Sequence, residues 1–201
     1  MPGLALAMYV AFFAVALVWR AWLQYRRTGD HGFRRFSVRR GSVEWFGGLF
    51  LALGTTLTGA AAVAGLFDLV EPIHAIDRPG LHRMGLLTAL LGCVITIVAQ
   101  LQMRDSWRVG VDSREVTPLV TVGLFRMVRN PIYSAAFLAT TGFFFMVPNV
   151  VSAVAFGLLL AGLQIQVRRV EEPHLIRIHG ETYLAYARTV GRFMPGVGHL
   201  P

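Results

Sequence analysis

Residues 132–167 read IYSAAFLATTGFFFMVPNVVSAVAFGLLLAGLQIQV: two apolar runs, Ile132 to Val147 and Val150 to Val167, divided by Pro148-Asn149. Neither run carries a charged residue. Proline and asparagine together interrupt a helix and open a turn, so the stretch is expected to form a tight helical hairpin. A spanning helix takes about 20 apolar residues, and both runs are somewhat shorter, which leaves a re-entrant hairpin open as a second reading. Three further runs lie towards the N-terminus, roughly Gly3 to Trp19, Phe46 to Val70 and Met84 to Met103. Over all 201 residues, 55% are hydrophobic and 15% charged, against about a quarter charged in soluble domains. A water-soluble globule is excluded. The expected fold class is all-α, a polytopic membrane protein of about five transmembrane helices. The first run has no basic residue before it and is followed by Arg20, Arg26 and Arg27, the pattern of an anchor rather than a cleaved signal.

Every one of the 19 basic residues is arginine, against 11 acids, for a net charge of +8. Seven arginines fall in 20–44, two in 71–83, five in 104–130 and five in 168–201. With five spans, the first, third and fourth groups share one side. The positive-inside rule makes that side cytoplasmic, so the N-terminus is expected outside and the C-terminus in the cytoplasm. The segments 104–130 and 168–201 are long enough to build a cytoplasmic cap, where any chemistry is expected. The working division is a three-span membrane region, 1–103, and a C-terminal catalytic region, 104–201. Arginine-only basicity with much Ala, Gly and Val suits a GC-rich bacterial genome, in which the membrane would be the plasma membrane. The small residues Gly54, Thr58, Gly59, Ala62 and Gly65 suit close helix packing. One cysteine, Cys93, excludes an intrachain disulfide, and the six histidines form no metal-ligand pattern.

Two stretches set ionisable groups against apolar helices. In the first, residues 119–133, Asn130-Pro131 opens the fourth run. Proline suits the first helical turn and asparagine the cap. Free N–H groups there, with Arg126 and Arg129 beside them, would favour a carboxylate or phosphate; alternatively the arginines only snorkel to lipid headgroups. The second stretch, residues 168–186, begins Arg168-Arg169-Val170-Glu171-Glu172-Pro173. On a continuing helix Arg168 can pair with Glu171 or Glu172, and the two acids, about 100° apart, face different ways. Pro173 disfavours helical geometry at Glu172. Tyr183, Tyr186 and Trp107 suit either an aromatic ligand or the membrane interface, and the interface is expected. Glycine-rich nucleotide loops and hydrolase elbows do not occur.

Taken together, Leu119-Val-Thr-Val-Gly-Leu-Phe125, Arg129-Asn-Pro-Ile-Tyr133, Glu171-Glu172, His179-Gly-Glu-Thr-Tyr183-Leu-Ala-Tyr186 and Arg192-Phe-Met-Pro195 resemble the isoprenylcysteine carboxyl methyltransferase and phospholipid methyltransferase superfamily. The resemblance covers about residues 105–196, with several motifs in order. It implies an integral membrane enzyme that uses S-adenosyl-L-methionine in a cytoplasm-facing pocket and methylates a lipophilic acceptor arriving from the bilayer. Carried over, it implies that Leu119, Val120 and Phe125 line the cofactor pocket, that Arg129, Asn130, Pro131, Ile132 and Tyr133 form the contact stretch, and that Glu171 or Glu172 holds the cofactor. There are departures: Asn130 stands for a histidine, Phe125 for a tyrosine, and the substrate-side arginine is out of register.

The implied partners are the lipid bilayer and a lipophilic small-molecule methyl acceptor, with no nucleic acid. An ionised carboxylate or thiolate acceptor would be oriented by Arg168 or Arg169, whereas an amine would give its proton to Glu172. A sterol-reductase-like NADPH enzyme is the first alternative, although Pro131 lies two residues before Tyr133 where that pattern has Asn next to Tyr. A non-enzymatic membrane scaffold is the second, and the runs carry none of the internal charge a transport path uses.

Overall fold

A computed structural model describes residues 1–33, 39–110 and 118–201. Arg34, Arg35 and Arg114, three of the arginines in the topology argument, lie outside the described residues. The described chain is all-helical: α1 (Pro2–Thr28), α2 (Val43–Leu66), α3 (Pro79–Gln102), α4 (Pro131–Met146), α5 (Val150–His179) and α6 (Glu181–Thr189). Among the described residues only isolated bridges replace strands. Four helices, of 27, 24, 24 and 30 residues, are long and apolar enough to cross a membrane. The fifth, α4, is shorter. Its 16 residues span about 24 Å against a hydrocarbon core of about 30 Å.

Two helices outrun their apolar stretches. α1 continues past Trp19 to Thr28, and α5 past Val167 to His179. Apolarity marks what lipid can touch, whereas a helix continues for as long as its backbone bonds are met. Each contains a wide π-helical turn, Ala14–Trp19 in α1 and Gln166–Glu171 in α5. The expectation that Pro173 would break helical geometry at Glu172 is corrected: Glu172 is helical, at φ −59 and ψ −46. The wide turn immediately before it shifts the hydrogen-bond register, and Pro173 then falls in the first turn of the segment that resumes, where its missing N–H is not needed.

Packing in lipid has little hydrophobic drive, so close approach of small residues replaces it. α3 and α4 run antiparallel along Gly85, Ala89 and Gly92 on one side and Ala135, Ala139 and Gly142 on the other. A Cβ at Gly92 would sit on the backbone nitrogen of Ala139. α2 meets α5 similarly: a Cβ at Gly54 would lie 2.9 Å from the Leu159 nitrogen, and one at Gly162 2.9 Å from that of Leu51. Tyr9 of α1 packs edge-on to Phe143 within a core of Ala5, Ala62, Ala89, Cys93, Ala139 and Met146.

The two ends differ. At one, Ile73 N–H donates to Pro148 at 2.7 Å, and Asn149, which caps α5 reciprocally with Ser152, donates to Ala61 at 3.1 Å. At the other, segments from all three arginine-rich groups meet. Val109 N–H donates to Gly32 at 2.8 Å, Arg129 N–H to Gly191 at 2.8 Å and Asn130 N–H to Arg192 at 3.1 Å.

Candidate active site

At this second end lies a cavity of about 400 Å³, within the usual range of small-molecule sites. Its floor is the start of α4. Asn130 takes the N-cap position, but the expected side-chain cap is not made; its Nδ2 donates to the Arg192 carbonyl at 3.1 Å instead. The first-turn N–H groups of Ile132 and Tyr133, which have no acceptor within the helix, therefore receive no side-chain cap from Asn130. The partial positive charge of the helix end therefore faces the cavity.

The π-helical turn of α5 forms the opposite wall. Glu171 lines the cavity and accepts a hydrogen bond from the Tyr133 hydroxyl, with Gln166 beside it. Glu172 turns away, as a step of about 100° requires. It is buried, 2.7 Å from Arg129 Nη2, and accepts from Arg192 Nε at 2.9 and 3.0 Å. Arg129 lines the cavity but spends its other donors on the carbonyls of Ala187, Val190 and Gly198, leaving Nε buried without a partner. This ion-pair cluster binds α4, α5, α6 and the C-terminal segment into one unit.

Leu119, Val120, Phe125, Arg129, Asn130, Pro131, Ile132, Tyr133 and Glu171 all line this cavity. Glu172, Arg168 and Arg169 do not. Both arginines are exposed, and Arg168 Nε donates to Gln164 at 2.8 Å rather than pairing with an acid. The pairing of Arg168 with Glu171 or Glu172 that the spacing allows is thus corrected: Glu171 is bonded by Tyr133, and Glu172 already has two guanidinium partners. Arg126 is exposed and outside the cavity.

The interfacial reading of the aromatic residues is also corrected. Trp107 and Tyr183 are each only 1% exposed and line the cavity together with Tyr186, whose hydroxyl donates to the Phe125 carbonyl. Lipid cannot reach Trp107 or Tyr183, which are fully enclosed. Burial pushes the Tyr183 phenol up to about 12 and raises that of Tyr186, so both remain protonated donors at neutral pH.

Arg20, Gln100, Gln166, His174 and Arg192 stand in or beside the site without a sequence signal that assigns them a contact in it. Arg20 and the two glutamines are buried, and Gln100, Gln166 and His174 line the cavity. Amides inside apolar runs, and an arginine that a helix carries beyond its apolar run, were the available signals. Leu17 of α1 and Leu51 of α2 also line the cavity. Both sides of the division at residue 103 therefore contribute walls.

The sequence matches the phospholipid methyltransferase family over residues 81–182, from α3 into α6. It is 31% identical over 150 residues to protein-S-isoprenylcysteine O-methyltransferase A of Arabidopsis thaliana, covering 70% of this chain and 76% of that protein. It is 28% identical over 145 residues to protein-S-isoprenylcysteine O-methyltransferase B of the same plant, covering 68% and 74%. On these similarities, and with the helical architecture they accompany, the chain is a multi-pass membrane methyltransferase that belongs to the isoprenylcysteine carboxyl methyltransferase and phospholipid methyltransferase superfamily.

Proposed function

We propose that the protein transfers a methyl group from S-adenosyl-L-methionine to the headgroup of a lipophilic acceptor, at the cytoplasmic face of the membrane. The observation that carries this is one cavity with a chemically mixed lining. It joins a helix N-terminus, Glu171 and tyrosine hydroxyls to Leu17 and Leu51, side chains of helices apolar enough to span a membrane. The donor set fits the cofactor. The N–H groups of Ile132 and Tyr133 suit a carboxylate. Glu171, held by Tyr133, suits an ammonium or hydroxyl group. Leu119, Val120, Phe125 and Tyr186 offer an apolar and aromatic flank.

When bound, S-adenosyl-L-methionine supplies an electrophilic methyl group on a sulfonium. The task of the chain is to hold an acceptor in line with that methyl and to exclude water. An ionised acceptor needs no base. An amine would give its proton to Glu171, which faces the cavity, rather than to Glu172, which two guanidinium groups hold outside it. The relatives' names specify isoprenylcysteine, and the family name phospholipid; both are amphiphiles whose polar head would meet Glu171 while the tail lies along Leu17 and Leu51.

Residues 104–201 supply most of the polar groups and 1–103 the membrane frame. The cavity end carries the larger share of arginine, which by the positive-inside rule supports a cytoplasmic location for it, in a bacterium at the plasma membrane. Titration of the detergent-purified protein with S-adenosylhomocysteine, with NADPH in parallel, tests the cofactor. Saturable binding of the first alone is expected, and binding of NADPH alone would replace this reading with a reductase. Labelled methyl transfer to N-acetyl-S-farnesylcysteine and to phosphatidylethanolamine vesicles then separates an oxygen from a nitrogen acceptor.

A further inference from the structure

We propose that Arg20 is a positioning residue of the active site. It lies in α1, outside the region matched to the family, and it holds Trp107 and the segment after it as one wall of the cavity. Only 1% of Arg20 is exposed, although it belongs to a helix long and apolar enough to span the membrane. A charge in such a place is costly and marks function when it has dedicated partners. Its guanidinium lies 4.6 Å from the centre of the Trp107 ring. One terminal nitrogen donates to Gln24 Oε1 at 3.0 Å; the other serves the carbonyls of Gln100 and Arg104. Gln24 in turn donates to the Asp105 carbonyl at 2.8 Å.

These acceptors are where α3 ends. The last carbonyls of a helix lack partners within it, and a cation there is favourable. Arg104 has φ +49, a left-handed turn that diverts the chain through Asp105 and Ser106 to Trp107. Trp107, Arg108, Val109 and Gly110 then face the cavity. Gly32 packs against the Trp107 ring so closely that a Cβ there would lie 2.9 Å from it. The indole is thus held from both sides of the α1 terminus. A methionine at position 20 could fill the space beside Trp107, but it could not bind Gln24 and the two carbonyls at the end of α3 and in the turn that follows it. That combination needs the planar guanidinium.

The test compares R20M and R20K with the stability control Phe143→Leu, in a core remote from the cavity, all measured in detergent per folded molecule. Loss of the wall is expected to weaken S-adenosylhomocysteine binding by about tenfold or more. KM for S-adenosyl-L-methionine should rise by a similar factor with a smaller change in kcat. R20K should recover part of the loss, while Phe143→Leu, at a comparable fall in Tm, should bind like the parent. In a protein whose only tryptophan is Trp107 (Trp19, Trp22 and Trp45→Phe), R20M should also make the indole accessible to acrylamide. If R20M does not fold, Gln24→Ala is expected to show the same changes in smaller measure. Parental affinity in the folded variant overturns the assignment. The inference rests on the proposed function only through its ligand probe: if the parent binds no S-adenosylhomocysteine, that function fails, and the Trp107 quenching still decides the role of Arg20.

Discussion

The α3–α4 seam and the cap around Glu172 hold the molecule together by opposite means. The seam is a run of glycines and alanines whose backbones touch. The cap is a buried cluster of one carboxylate, two guanidinium groups and several backbone carbonyls. Lipid offers helices no hydrophobic reward for meeting, so the seam depends on shape alone. At the cap the chain leaves its helices, and loose carbonyls must find donors. Arginine, with five N–H groups in a rigid fork, supplies several at once. The seam therefore holds α4 against α3, and the cap sets what closes over its N-terminus.

Substitutions can break this contrast in order of size. Gly92→Leu should be the most severe, since its side chain would be driven into the α4 backbone; a loss above about 3 kcal/mol is expected, read as missing monodisperse protein on gel filtration. A well-folded variant would show that the seam tolerates separation. Glu172→Gln should come next, at about 3–5 kcal/mol, because two guanidinium groups would be left buried without a counter-charge; Tm measures it.

Glu171→Gln sharpens the contrast, since this neighbour faces the cavity and not the cluster. Its expected effect is a loss of about tenfold in S-adenosylhomocysteine affinity, about 1.4 kcal/mol, with little change in Tm. If the two glutamate variants affected Tm and affinity alike, the division between ligand-facing and structural acid would fail. Tyr186→Phe removes one hydrogen bond to Phe125 and should lower stability by about 1 kcal/mol. Arg168→Ala should stay within about 0.5 kcal/mol with activity retained. Lost turnover there would return this exposed arginine to a role with the acceptor.

Much of the architecture was legible because lipid imposes long apolar runs. The hairpin around Pro148-Asn149 and the convergence of 104–130 with 168–201 follow from runs and arginines alone, and the helix start at Asn130-Pro131 from turn chemistry. The helix limits were less legible. Nothing in the apolarity of α1 shows that the helix carries on through Arg20, whose side chain is buried against carbonyls supplied by residues 100–105. The same limit explains why the sequence does not separate a buried Trp107 or Tyr183 from an interfacial one: an aromatic residue beside an apolar run has the same local sequence whether it meets lipid or a packed cap.

By itself the sequence determined a helical membrane protein and its arginine-rich segments, and its family resemblance pointed to Leu119–Tyr133 and the acidic pair Glu171-Glu172 as candidate site residues. Only the tertiary structure decided between the adjacent acids, assigning Glu171 to the cavity and Glu172 to Arg129 and Arg192, and only it drew Arg20 and Trp107 into the site. Spans are written by local composition, which a bilayer reads segment by segment. The partner of a buried charge is set by which distant segments arrive beside it, and here those partners lie 20, 43 and 84 residues away.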